Sequence, residues 1–296
     1  MTTTKLPAIL VSGATGTIGS ALAKLLAEKG TPFRALVRPT GATPHIPGAE
    51  VVEGDLNDQK SLKNALSGIE RAFLLTNSSP EAESLQIAFV DAAKAAGVQH
   101  IVKLSQYAAH RDSPVRFLRY HAAVEEKILA SGMAYTFLRP NLFMQGLLGF
   151  REPIMQQGKF FATIGEAPVS LVDIRDIAEV AAAALTNPVH ENRIYTLTGP
   201  QAITHRQIAA TLSAALGRDI QYIDVPPDAM HQALIAAGFP EWQAAGLIED
   251  YAHYGRGEAA EVSGDIEAVT GRAARDFNRF VEDYAEAFLP EVLTKR

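Results

Sequence analysis

Three stretches of this 296-residue chain combine residue types and spacings that can do chemistry. In VSGATGTIGS, Val11 to Ser20, glycine recurs at Gly13, Gly16 and Gly19. Glycine at that density lets a backbone turn tightly and come close to a ligand. If a helix follows, its unpaired N–H groups and positive dipole end suit a diphosphate. A tight turn with no ligand is the other reading. The second stretch, FRALVR (Phe33 to Arg38), closes on an arginine, and no Asp or Glu occurs between Gly30 and Glu50. An NAD site places an acid about 20 residues past the glycine loop for the ribose hydroxyls, whereas an arginine there accommodates the 2′-phosphate of NADP. A guanidinium grips a phosphate through paired hydrogen bonds, where a carboxylate would repel it. Unless it is only a solvated surface charge, Arg38 selects NADP(H) over NAD(H). In the third stretch, RYHAAVEE, His121 and Glu125 lie four residues apart on one helical face. The carboxylate can then orient or charge the imidazole. With Tyr120 beside it and Tyr107 further back, His121 is a candidate proton donor. An exposed helix pair with no function is the simpler reading of that spacing.

Strands alternating with helices must position these groups. AILVS (Ala8 to Ser12) is a short apolar run of the kind buried in parallel sheets. Ile18, Leu22, Leu25 and Leu26 then recur at helical spacing, and Gly30 ends that helix. EVVEGDLND (Glu50 to Asp58) is a third strand, with Asp58 the N-cap of a helix through Leu62 and Leu66. Asp55 and Leu56 fall where an adenine edge would be met. RAFLLTN (Arg71 to Asn77), HIVKLSQ (His100 to Gln106) and AYTFLRP (Ala134 to Pro140) are further strands. Helices over Leu85 to Ala96 and from about Arg116 to Ser131 separate them. The pattern predicts an α/β fold, a Rossmann-type doubly wound parallel sheet with its ligand crevice at the carboxyl ends of the strands.

Residues 1–150, with about 169–200, are expected to form the dinucleotide-binding domain, and 151–296 mainly a smaller C-terminal α/β lobe on the substrate side. Asn141, Phe143 and Met144 follow the sixth strand and are expected to wall the pocket, core packing being the alternative for the last two. SLVDIRDIAEVAAAAL reads as a strand or loop, an Asp176 cap and a returning helix, with Asp173 and Arg175 as an ion-bonded turn. THRQIAATLSAALGRDIQYIDV is a capped helix and a strand. Beyond it, Trp242, Tyr251 and Tyr254, with Gly255 and Gly257 as hinges, fit a lid stacking on a flat substrate, or an aromatic cluster joining two helices.

Composition narrows the classes. There is no cysteine, which excludes disulfides, thiolate catalysis and cysteine-ligated metals. The eight histidines lack metal-ligand spacing, so no metal is expected. A formal charge of −6 with scattered Lys and Arg argues against nucleic acid. No apolar run reaches the ~18 residues of a membrane span, and the first residues lack a signal-peptide core, so a cytoplasmic protein is expected.

GATGTIG, GDLND, AAKAAGVQHIVKLS, YTFLRPNLFMQ and VSLVDIRDIAEVAAAAL together resemble the NmrA-like, atypical branch of the short-chain dehydrogenase/reductases. The resemblance runs from Ile9 to about Phe288. That branch includes quinone, triphenylmethane-dye and azo reductases and non-catalytic NADP-sensing regulators. It implies that Gly13, Thr15, Gly16, Thr17 and Ile18, with Gly19, form the pyrophosphate loop. It also implies Arg38 at the 2′-phosphate, Asp55 and Leu56 at the adenine, and Thr76, Asn77 and Ser105 along the ribose and nicotinamide. One departure stands out. The superfamily's Tyr-x-x-x-Lys pair, in which lysine lowers the tyrosine pKa, is absent: Arg111, Val124, Arg139 and Gly199 follow Tyr107, Tyr120, Tyr135 and Tyr195 by four. Alcohol oxidation and epimerisation by that device are therefore not expected. Hydride transfer to an already electron-poor acceptor needs less from the protein, since positioning against the nicotinamide supplies most of the catalysis. The leading reading is an NAD(P)H-dependent reductase of a small aromatic or quinone-like acceptor, acting as a monomer or homodimer. A silent NADP-binding sensor is the alternative.

Overall fold

A computed structural model of the chain describes residues 8–39 and 43–289. The strands are β1 (Ile9–Ser12), β2 (Phe33–Val37), β3 (Ala49–Glu53), β4 (Arg71–Leu74), β5 (His100–Leu104), β6 (Ala134–Pro140), β7 (Lys159–Ala162), β8 (Arg193–Leu197) and β9 (Gln221–Asp224). The first helices are α1 (Thr17–Glu28), α2 (Gln59–Leu66), α3 (Ala82–Ala96), α4 (Arg116–Ser131), α5 (Arg151–Gln157) and α6 (Ile174–Thr186). They are followed by α7 (His205–Leu216), α8 (Pro227–Ala236), α9 (Glu241–Gly255), α10 (Asp265–Thr270) and α11 (Phe277–Tyr284).

The chain divides into two compact units. The first comprises Met1–Ser113, Leu118–Arg139 and Ile174–Thr196. It carries a seven-stranded sheet in the order β3-β2-β1-β4-β5-β6-β8. The pairs β3-β2, β2-β1, β1-β4, β4-β5 and β5-β6 are all parallel. Strand order reverses between β1 and β4, and the crevice that such a switch point opens at the carboxyl ends is where doubly wound sheets take ligands. The expected doubly wound fold is thus present, and its cause is in the sequence. β1 and β2 are buried along their whole length, as runs covered on both faces must be. On one face Leu10, Leu36, Ala72, Leu74, Ile101 and Phe137 pack against Leu62 and Leu66 of α2, Phe89 and Val90 of α3, and Val124 and Ile128 of α4. α1 and α6 pack along each other on the opposite face. Asp58 caps α2, accepting from the Lys60 amide at 2.9 Å. α6 begins at Ile174, so Asp176 sits in its first turn and is not the cap expected from the sequence.

The second unit comprises Pro114–Phe117, Pro140–Asp173 and Leu197–Arg296. Here β7 and β9 form a parallel pair, from Lys159 opposite Gln221 to Ala162 opposite Asp224. Thr204 and Gln207 make the expected capping box at the start of α7. The segment expected to hinge at Gly255 is helical up to and including that residue, so Trp242, Tyr251 and Tyr254 share the single helix α9.

Candidate active site

The glycine turn joins β1 to α1. Gly13 takes φ +66°, in the left-handed region that a side chain disfavours, and its carbonyl accepts from the Gly16 amide at 3.0 Å. A Cβ on Gly19 would lie 2.0 Å from that same carbonyl oxygen, so the turn can close only over a glycine. Gly16 occupies the N-cap with no side chain bonded to the helix amides, and no acid lies in the first turn of α1. Thr15, Gly16 and Thr17 are exposed, whereas Ile18 and Gly19 are buried. Ile18 therefore puts only its backbone at the loop. Uncapped amides, the dipole of a 12-residue helix and exposed small residues fit a diphosphate. The Ser12 side chain fixes the floor of the turn by bonding Phe73 and Leu75 on the β4 side at 2.9–3.0 Å.

Arg38 stands exposed just past β2, with no hydrogen bond or ion pair to another described residue. Arg34, earlier on that strand, is committed: its guanidinium donates to the carbonyls of Ala65 and Ser67 at 2.6 and 2.9 Å and pairs with Glu50. Asp55 closes a local turn, one carboxylate oxygen accepting from the Asn57 amide at 2.8 Å, and Leu56 packs partly against the core. Thr76 Oγ1 accepts from the buried Gln86 amide at 2.8 Å, and Asn77 is exposed beside it. Sequence reasoning missed Gln86 as the partner of Thr76, because a glutamine within a helix carries no signal of its own.

The proton-donor candidates lie among more polar groups than the sequence suggested. Lys103 and Ser105 alternate outward on the same face of β5 and its end, beneath α4, which contributes His121 and Glu125. Arg139, at the end of β6, clamps the Glu125 carboxylate through Nε at 3.0 Å and through Nη2. The Ser105 hydroxyl donates to Glu125 Oε1 at 2.5 Å, since a clamped carboxylate can only accept. Ser105 is left as an acceptor. Lys103, with no exposed surface, donates to the Leu104 carbonyl at 3.0 Å and to Nδ1 of His121 at 2.8 Å. The expected His121–Glu125 pairing is therefore not made: Glu125 belongs to Arg139 and Ser105, and His121 to Lys103. Burial, reinforced by the neighbouring ammonium, pushes the His121 pKa well below its ordinary value. The ring is neutral, with Nδ1 accepting and its hydrogen on Nε2. Burial and Arg139 also push Lys103 down to about 7 against the pull of Glu125. Tyr120 lies against His121 with ring centroids 4.2 Å apart and planes tilted by 33°, and its hydroxyl meets Ser78 Oγ at 3.0 Å. Tyr107 is half-buried in the turn after β5, where Ala108 takes φ +58° at a cost of about 1–2 kcal/mol. Lys103 left one trace in the sequence, a charge flanked by the apolar residues Ile101, Val102 and Leu104.

In the second unit Asn141, expected at the pocket wall, is buried and ties neighbouring segments together, its amide donating to Ser170 Oγ and the Ala259 carbonyl at 2.8 and 2.9 Å while its oxygen accepts from the Leu142 amide. Met144 is buried, its methyl near Gly199. Phe143 is half-buried and bridges Val172 through its backbone. Asp173 is buried and accepts from Gln145 at 2.9 Å. Trp242 packs on Phe117 at 5.4 Å and beneath the Arg116 guanidinium at 5.5 Å. Arg116 is held by Glu249. Tyr254 is buried and donates to Asp250 at 2.8 Å. Tyr251, its hydroxyl pushed up to about 12 by burial, lines an open cavity of about 450 Å³ with Thr163, Asp224 and Pro226. Among the described residues no group of three His, Cys, Asp or Glu could hold a metal, and no helix is long and apolar enough to cross a membrane.

A glycine turn opening an uncapped helix at the switch point of a doubly wound sheet defines a Rossmann-type dinucleotide-binding protein. Over residues 5–286 the chain matches the NmrA-like family, and it belongs to that family. It is 41% identical over 282 residues to the NAD(P)H azoreductase of Xenophilus azovorans, covering 95% of this chain and 99% of that protein. It is 40% identical over 285 residues to a (4-alkanoyl-5-oxo-2,5-dihydrofuran-3-yl)methyl phosphate reductase of Streptomyces griseus, covering 96% and 100%. Among solved structures, the NADPH complex of the Escherichia coli quinone oxidoreductase QOR2 superposes with a TM-score of 0.85 at 26% identity, over 94% of this chain and 99% of that one. The NADP(H) complex of Citrobacter triphenylmethane reductase gives 0.84 at 28%, over 93% and 99%.

Proposed function

We propose that this chain is an NAD(P)H-dependent reductase that prefers NADPH and reduces a small, flat, electron-poor acceptor such as a quinone or azo compound. The observation that carries the cofactor reading is the glycine turn, where an exposed loop and uncapped helix amides suit a diphosphate and an exposed Arg38 stands just past the next strand. The reductases similar to this chain along nearly its whole length support the reaction class.

Bound there, the cofactor would supply a hydride from its reduced nicotinamide. Thr15 and Thr17 would hold the diphosphate through backbone N–H groups, with the exposed, side-chain-free Gly16 between them letting it approach, and Arg38 would take the 2′-phosphate. Thr76, steadied by Gln86, and Ser105, with its hydrogen committed to Glu125, would accept from ribose or carboxamide donors. The product anion left by hydride transfer needs a proton, and His121, neutral with hydrogen on Nε2, is the donor assigned here. Tyr120, tilted against the ring at 4.2 Å between centroids, would help to order it.

The test is NADPH oxidation with a panel of quinones, azo compounds and triphenylmethane dyes. Turnover with at least one acceptor, slowed up to about 10²-fold by His121→Phe, is the expected outcome. Tight binding of oxidised cofactor with no turnover on any acceptor would make the chain a sensor and refute the reading.

A further inference from the structure

We propose that Lys103 is an internal proton reservoir for this reaction, passing its proton to Nδ1 of His121 as Nε2 of the same ring releases one to the reduced product. The inference rests on the reading of His121 as proton donor. Lys103 has no exposed surface while His121 as a residue keeps 9%, so the histidine is the outer member of the pair and the lysine the inner one. The 2.8 Å Nζ–Nδ1 contact is the path, because an ammonium can only donate and a neutral ring nitrogen at that distance accepts. A histidine whose own cation is disfavoured by burial cannot store a proton. It can still conduct one, taking a hydrogen on one nitrogen while losing that on the other.

The step balances. The acceptor gains a hydride, and hence two electrons, from the nicotinamide. Its anion takes the Nε2 proton, Nδ1 takes a proton from the Lys103 ammonium, and the lysine is left a neutral amine. Between turnovers water returns a proton through the same ring. The neighbours make the amine a suitable store. Burial disfavours its charge, the Glu125 carboxylate on α4 favours it, and Arg139 on β6 opposes it, which together hold Lys103 near neutrality. The other titratable groups nearby are Tyr120 and His121 themselves, on α4. On β4, Arg71 is engaged at the far end of the sheet by His100 and Glu191.

The first readout needs no variant and no cofactor. In the cofactor-free wild-type protein, carrying isotope-labelled lysine, one side-chain nitrogen should titrate near pH 7, not at the ordinary lysine value of 10.5. The Lys103→Met protein should lack that signal. The second readout is the pH profile of turnover. The wild type should slow as pH rises through about 7, whereas Lys103→Met should be slower by roughly 10²-fold and flat across that range. If every lysine titrates near its ordinary value, or Lys103→Met keeps the wild-type profile while His121→Phe is slow, the reservoir is refuted and the His121 assignment stands. If His121→Phe turns over at the wild-type rate, the assignment itself fails and the reservoir with it.

Discussion

Replacing Lys103 by methionine should change the pH dependence of folding in a way that can be worked out from the structure. The lysine pKa is 10.5 when solvated and about 7 in the folded protein, with burial the main cause. Between those values the unfolded chain holds a proton that the folded one does not, so stability rises with pH in that window and the charged lysine is a penalty below it. Across that window each step of one in pH is worth at most about 1.4 kcal/mol. Integrated from about pH 6.5 to about pH 8.5, the wild type should gain roughly 2 kcal/mol from this one group. Methionine has a similar length and no charge, so Lys103→Met should be the more stable protein at the acid end, and its advantage should shrink by that amount at the alkaline end. Urea unfolding of both cofactor-free proteins at several pH values measures the difference, and groups common to both cancel. Parallel stability curves would mean that Lys103 titrates normally, and the account of the buried cluster would be wrong.

Two further outcomes follow from the cofactor loop. Arg38→Ala should weaken NADPH binding by about 10- to 150-fold, the value of a lost charged hydrogen bond of roughly 1.5–3 kcal/mol, while NADH binding stays nearly the same. Fluorescence titration with each cofactor decides it, and equal losses would show that Arg38 does not meet a phosphate. Gly19→Ala would place a Cβ 2.0 Å from the Gly13 carbonyl, which must then move. Binding of both cofactors should fall more than about tenfold, as misaligned N–H groups lose charge-assisted bonds, with the fold retained by circular dichroism. An alanine variant with unchanged affinity would remove the loop from the site.

What the sequence determined by itself was local, because it depended on period and on single-residue chemistry. The buried runs of β1 and β2, the glycine turn, the Asp58 cap and the Thr204 box each follow from residues within a few positions of one another. Arg38 was legible for the same reason, being placed by the end of its own strand. The partners of His121 and Glu125 were not. A four-residue spacing puts His121 and Glu125 on one helical face, but which of them meets Lys103 and which meets Arg139 depends on how α4 lies across β5 and β6. In the same way, Asn141 was assigned to a wall because it follows a strand, whereas its partners Ser170 and Ala259 lie far along the chain. The aromatic residues of α9 read as a hinged segment, yet helical hydrogen bonding carries through Gly255 and Asp250 holds Tyr254. Burial is the common reason. It is a property of the packed fold, and with Arg139 beside it burial turns an ordinary lysine in HIVKL into a group that gives up its proton near neutral pH.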